Sequence, residues 1–179
     1  FTQLYVQLVI AVYMRDNALT DRSRPKVIEY IGGIVGGMKH KPLIVNGAKD
    51  HMHILLGLNP AVSISDTVAG IKKSSTLFIN QNRLVMGQFR WQEGYGAFSY
   101  SRSELDNVYK YIQDQDKHHA RRSFREEYLG LLDKNQADYD PRFLFEFLDS
   151  LSDMDLAMKT TAKDQRLMLE RFMLQLCSS

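Results

Sequence analysis

Asp50-His51-Met52-His53-Ile54-Leu55-Leu56-Gly57 is the stretch on which the fold turns. It is largely apolar, about a strand in length and closed by glycine, so it reads as a β-strand. Side chains alternate faces along a strand, which puts His51 and His53 on one side and Met52, Ile54 and Leu56 on the other. The two histidine Cα atoms then lie roughly 6–7 Å apart, near enough for both imidazoles to reach one metal ion. Two imidazoles suit a borderline or transition divalent ion, but a third ligand must come from elsewhere in the fold. Histidines that are simply hydrogen-bonded or solvated are the competing reading.

The flanking segments set the order of elements. Leu4, Val6, Leu8, Ile10 and Val12 alternate with Gln3, Tyr5, Gln7, Val9 and Ala11, which predicts a first strand. Pro25 suits the first turn of a helix reaching about Met38, with Val27, Ile28, Ile31, Ile34 and Val35 inward. Gly32, Gly33, Gly36 and Gly37 within it are read as close packing on a sheet, because the strand-turn-helix setting of a phosphate loop is missing. Pro42 to Val45 reads as a second strand and Asn46-Gly47 as a turn into the histidine strand. Ser63 or Ser65 caps a second helix to about Asn80, with Val68, Ile71, Ser75 and Phe78 inside. Trp91 to Tyr100 reads as a fourth strand, broken at Gly94 and Gly96. The order β-α-β-β-α-β is that of the ferredoxin-like (RRM-like) α+β fold, an antiparallel sheet with helices on one face. The opposite face is expected to be open, with His51, His53, Tyr5 and Gln7 projecting from it.

The composition limits the classes of protein open to the chain. The 179 residues, 44% apolar and 25% charged, suit a globular protein with a proper core. Net charge is only +2, but residues 1–130 hold 17 Lys+Arg against 12 Asp+Glu, a basic body fitting a polyanion partner. The lone Cys177 rules out a disulfide framework within the chain and a cysteine-built zinc site. Leu4 to Val12 is too short to span a bilayer and lacks a signal peptide's basic start. A cytoplasmic protein with no membrane partner is expected. The chain starts at Phe1, so a trimmed N-terminus is expected as well.

A third helix is predicted from Ser103, where Ser103-x-x-Asp106 looks like a capping box, to about Ala120. Its stripe is Leu105, Val108 and Ile112, with Tyr111, Gln115 and His118 on one shoulder. Tyr111 and Gln115, four residues apart, can address one point. A tyrosine hydroxyl can serve as a covalent nucleophile if a base, a metal or an activated target assists it. Tyr109 has Gln113 at the same spacing, so spacing alone leaves the two tyrosines open. Lys72, Lys73 and Ser74, Arg90, and the run Lys117, His118, Arg121 and Arg122 are candidate phosphate contacts; a solvated face is the competing reading. Trp91 and Tyr95 are candidate base-stacking residues. Ser123 to Leu132 reads as a further helix. Residues 1–149 are expected to form one domain and 150–179 a helical tail without an assigned role.

Four segments carry a resemblance: Gly47-Ala48-Lys49-Asp50-His51-Met52-His53-Ile54-Leu55, Ile71-Lys72-Lys73-Ser74-Ser75, Trp91-Gln92-Glu93-Gly94-Tyr95-Gly96-Ala97-Phe98-Ser99, and Tyr111 to His119. Ser123-Phe124-Arg125-Glu126-Glu127-Tyr128 extends it. In this order and spacing the chain resembles the HUH single-tyrosine transposases of insertion sequences and repetitive extragenic palindromes. The resemblance implies metal ligation by His51, His53 and Gln115, with Mg²⁺ or Mn²⁺ as the ion, and Tyr111 rather than Tyr109 as nucleophile. It implies cleavage and rejoining of hairpin-bearing single-stranded DNA through a 5′-phosphotyrosine link, without a nucleotide energy source. It also implies a bacterial or archaeal, nucleoid-associated homodimer in which active sites can be shared between subunits. A non-catalytic hairpin-binding relative and a metal-dependent phosphodiester hydrolase are the alternatives.

Overall fold

Strands β1 (Tyr5–Ala11), β2 (Lys41–Gly47), β3 (His51–Gly57) and β4 (Gly96–Tyr100) make one antiparallel sheet in the order β2-β3-β1-β4. This computed structural model describes residues 2–13, 17–115 and 123–139. Helix α1 (Arg24–Gly37) follows β1 and α2 (Ile64–Gln81) follows β3. Beyond β4 come a short 3₁₀ turn (Arg102–Glu104), α3 (Leu105–Gln113) and α4 (Phe124–Lys134). All of these belong to one unit ending at Asn135. The β-α-β-β-α-β order and ferredoxin-like class expected from the sequence are found. The tail expected at 150–179 lies outside the described residues.

The main core lies between the sheet and α1 with α2. Val6, Leu8 and Ile10 of β1 and Met52, Ile54 and Leu56 of β3 cluster there with Val27, Ile31, Val35, Val68, Ile71 and Ile79. Alternation on β1 and β3 therefore falls as the sequence indicates. Ser63 is the cap of α2, its hydroxyl accepting from the Asp66 N–H at 3.0 Å. Phe78 packs against this core while only partly buried, stacking on Tyr30 with centroids 3.9 Å apart, and Ile79 is the fully buried residue beside it.

The face expected to be open is covered. Val9 and Leu55 point away from the main core and are buried all the same, as are Leu105, Val108 and Ile112 of α3 and Phe124 of α4. The apolar stripes of α3 and α4 need a surface to cover, and this side of the sheet supplies it. His51 and His53 are consequently 0% exposed.

Three boundaries shift for local reasons. β2 runs on through Asn46 and Gly47, which pair with His53 and Met52, and the turn falls after them, closed by Ala48 N–H to His51 O at 3.0 Å. A Cβ on Gly47 would sit 2.3 Å from the His51 carbonyl oxygen, so this tight return needs glycine. β4 begins only at Gly96; Trp91 makes a single bridge to Val12, and Gly94 takes a positive φ of 72°. The capping box is formed by Ser101 and Glu104 at the start of the 3₁₀ turn that leads into α3, not by Ser103 and Asp106.

The expectation of close packing at the α1 glycines is overturned. A Cβ at Gly32, Gly33, Gly36 or Gly37 would meet nothing within 4 Å. Nothing in the structure explains the four glycines, and each weakens the helix relative to alanine. Gly33→Ala is expected to raise stability by about 0.5–1 kcal/mol, read as a higher urea midpoint; a lower midpoint would mean that the position requires glycine.

Candidate functional site

β3 brings His51 and His53 to one side, as their parity requires, with ring centroids 4.9 Å apart. Each ring is held from behind by a different partner. Asp50 Oδ1 lies 2.8 Å from His51 Nδ1. A carboxylate only accepts, so His51 carries its proton on Nδ1 and leaves Nε2 with a lone pair. Gln7 of β1 donates Nε2–H to His53 Nδ1 at 2.9 Å. Phe124 stacks over His51 with centroids 4.4 Å apart.

Glu127 of α4 completes the cluster. Ser123 caps α4 through the Glu126 N–H, which starts the helix in the phase that turns Phe124, Glu127 and Leu131 inward. The Glu127 carboxylate is 8% exposed. Its Oε1 lies 3.1 Å from His53 Nε2 and its Oε2 3.6 Å from His51 Nε2. Tyr111 O–H donates to Oε1, and Gln115 Nε2–H donates to the same oxygen at 2.8 Å. Burial, then the neighbouring carboxylate, pushes the Tyr111 phenol far above its ordinary range. Tyr111 is therefore a protonated, poorly nucleophilic phenol in this arrangement.

The donor set fits a divalent cation. One ligand atom from each of His51, His53 and Glu127 lies within 4.8 Å of the others. Gln115 is 0% exposed, and its Oε1 is buried without a hydrogen-bond partner among the described residues. A carboxylate, two imidazoles and a buried amide acceptor on a neighbouring residue are donors that suit a divalent cation.

The tyrosine helix is anchored locally. Asn46 of β2 donates Nδ2–H to Ile112 O at 2.8 Å and to Gln113 O at 3.2 Å, tying the end of α3 to the sheet. Tyr111 thus stands beside its own chain's His53, centroids 6.0 Å apart, while Tyr109 is 42% exposed. α3 ends at Gln113, so Gln115 lies past its end instead of within one long helix.

The candidate DNA contacts divide. Lys73 is exposed, Ser74 half-buried, and Arg90 exposed with its guanidinium 3.4 Å above the Tyr13 ring. Lys72 is occupied internally: its Nζ donates to Gln92 O at 2.7 Å and to Gly94 O, and burial lowers its pKa. Trp91 is core, its Nε1–H donating to Ser75 Oγ at 2.9 Å; Tyr95 is exposed. Lys117, His118, Arg121 and Arg122 lie outside the described residues.

A model of the family described as "Transposase IS200 like" matches residues 1–115, well over half the chain. The chain belongs to the IS200-like transposase family. The match includes His51, His53, Tyr111 and Gln115 but ends before α4 and Glu127. Among solved structures, this transposase is similar to a REP-associated tyrosine transposase bound to a REP hairpin, at 14% identity and a TM-score of 0.52 over 66% of this chain and 70% of that one. It is also similar to a candidate transposase from Deinococcus radiodurans R1, at 21% identity and a TM-score of 0.49 over 64% and 92% of the two chains. At these identities the REP-associated structure bears on the fold alone. None of the curated proteins compared matches the chain. No helix among the described residues is long and apolar enough to cross a membrane.

Glu127 escaped the sequence reading. The signal was present as an acid in the inward phase of an amphipathic helix, at i+3 from Phe124 and i−4 from Leu131. The two adjacent lysines of α2 give a direct check on this description of the transposase. Lys72→Ala is expected to lower stability by about 1–2 kcal/mol through two lost charge-assisted bonds, and Lys73→Ala to change it by less than about 0.5 kcal/mol, both read by urea unfolding. Equal effects would contradict the internal role of Lys72.

Proposed function

We propose that this transposase cuts and rejoins hairpin-bearing single-stranded DNA through a 5′-phosphotyrosine intermediate. The observation that carries this reading is the convergence of the Tyr111 hydroxyl, His51 and His53 on the buried carboxylate of Glu127. His51, His53 and Glu127 would hold Mg²⁺ or Mn²⁺, with the Gln115 amide oxygen as a further donor. Such an ion supplies positive charge to polarise a phosphodiester.

The chain's own residues account for the proton and the nucleophile. The Tyr111 hydroxyl proton passes to Glu127 Oε1, its present acceptor. The phenolate oxygen attacks phosphorus in line, and the bond from phosphorus to the 3′ oxygen breaks. The leaving oxygen takes a proton from water and becomes a free 3′-OH, while the 5′ phosphate stays on Tyr111. In the reverse direction a 3′-OH loses its proton to water and attacks the phosphotyrosine, the bond from phosphorus to the Tyr111 oxygen breaks, and Tyr111 recovers its proton from Glu127. The energy of the phosphodiester is kept in the protein–DNA bond, so no nucleotide hydrolysis is required. Of the candidate DNA contacts that are described, Lys73 and Arg90 are the basic residues exposed for contact with the DNA backbone.

The transposase, incubated with hairpin-bearing single strands from the regions flanking its gene and with Mg²⁺ or Mn²⁺, is expected to form a denaturant-resistant protein–DNA adduct. Tyr111→Phe is expected to abolish the adduct, and Glu127→Gln to slow its formation by about 100-fold or more. Mass spectrometry would place the phosphate on Tyr111. Cleavage that leaves free 5′ ends without an adduct would replace this reading with a hydrolase; hairpin binding without cleavage would replace it with a binding protein.

A further inference from the structure

Behind His53 lies a buried hydrogen-bonded chain that begins at a tyrosine on the far edge strand. Tyr100 of β4 donates its hydroxyl to Gln7 Oε1 at 2.9 Å, and Gln7 Nε2 donates to His53 Nδ1 at 2.9 Å. Gln7 and His53 are both 0% exposed. A fully buried amide held at both ends between a phenol and an imidazole has its position fixed, but not the identity of the end that faces each partner.

That distinction decides which ring nitrogen of His53 can bind a metal. With Gln7 Nε2 donating, Nδ1 must hold the lone pair, so a neutral His53 carries its proton on Nε2, the nitrogen facing Glu127 Oε1 at 3.1 Å. Ligation needs the opposite tautomer, with the lone pair on Nε2 and a proton on Nδ1. A proton on Nδ1 needs an acceptor behind it, and Gln7 Oε1 becomes that acceptor when the amide turns over. The freed NH₂ then faces Tyr100, whose hydroxyl oxygen can accept as readily as donate. His51 needs no such step, because Asp50 already holds its proton on Nδ1.

We infer that Gln7 is a positioning residue for His53, whose amide turns over as the site passes from its metal-free to its metal-bearing state, with Tyr100 serving both orientations. This rests on the metal-binding reading of the site.

The test uses the full chain and Mn²⁺ alone, with binding followed by electron paramagnetic resonance. Gln7→Leu removes the acceptor and is expected to weaken Mn²⁺ binding by about 10–100-fold. Gln7→Glu keeps an acceptor toward Nδ1 and another toward Tyr100, and is expected to bind Mn²⁺ close to the wild type despite its buried charge. A merely structural role would rank the variants by stability instead, with Gln7→Glu the worse. Ring ¹⁵N spectra of His53 in the wild type are expected to show the proton on Nε2 without metal and on Nδ1 with saturating Mg²⁺. Unchanged Mn²⁺ affinity in Gln7→Leu, or a proton on Nδ1 before metal is added, would overturn the inference while leaving the metal site standing. Failure of the wild type to bind Mn²⁺ would overturn both. If Gln7→Leu does not fold, the Gln7→Glu affinity and the wild-type spectra still decide.

Discussion

A carboxylate with 8% of its surface exposed has to be met by donors, because a buried charge without them costs several kcal/mol. Glu127 meets that requirement with the phenol of Tyr111 and the amide of Gln115, and the imidazoles of His51 and His53 lie beside it. The candidate nucleophile and the candidate metal ligands are therefore two halves of one hydrogen-bonded cluster. Moving any of them leaves the acid undersatisfied, which is why the end of α3, the start of α4 and one face of β3 are fixed relative to one another.

The sheet supplies the other half of the constraint. In the β1–β3 register, Val9 faces His53 and Gln7 faces Leu55, which makes Gln7 a diagonal neighbour of His53 on one face. The β1–β4 register pairs Gln7 with Phe98 and Tyr5 with Tyr100, so the Tyr100 hydroxyl reaches back across β1 to the Gln7 amide. A one-residue slip in either pairing would turn Gln7 into the apolar core. Val6, Leu8 and Ile10 of β1 forbid that slip, since it would turn all three out of the core they share with Met52, Ile54 and Leu56 of β3. Burial of the apolar set thus fixes the geometry behind His53.

Much of this was legible in the sequence. Period-two alternation gave the two central strands, and residue parity put His51 and His53 on one face with Gln7. The i, i+4 pair of Tyr111 and Gln115 pointed to one locus, although α3 ends between them. Glu127 was not legible in the same way, since acids are common on helices and only the inward phase of α4 separates this one from Glu126, which turns back to cap the helix. Covering of the histidine face was missed because it depends on two helices whose stripes find their surface only in three dimensions. Lys72 has the same lesson: a lysine beside Lys73 looks solvated until the 92–94 loop folds over it.

The two histidines differ in what holds them, and the difference follows from chemistry more than from position. A carboxylate behind an imidazole accepts in every state, so Asp50 commits His51 to one tautomer whether or not its Nε2 is in use. An amide is a donor at one end and an acceptor at the other, so Gln7 can support either tautomer of His53. A carboxylate at position 7 would place a second buried acid behind a ring that already faces Glu127, adding charge where the cluster has most of it. The neutral amide avoids that cost.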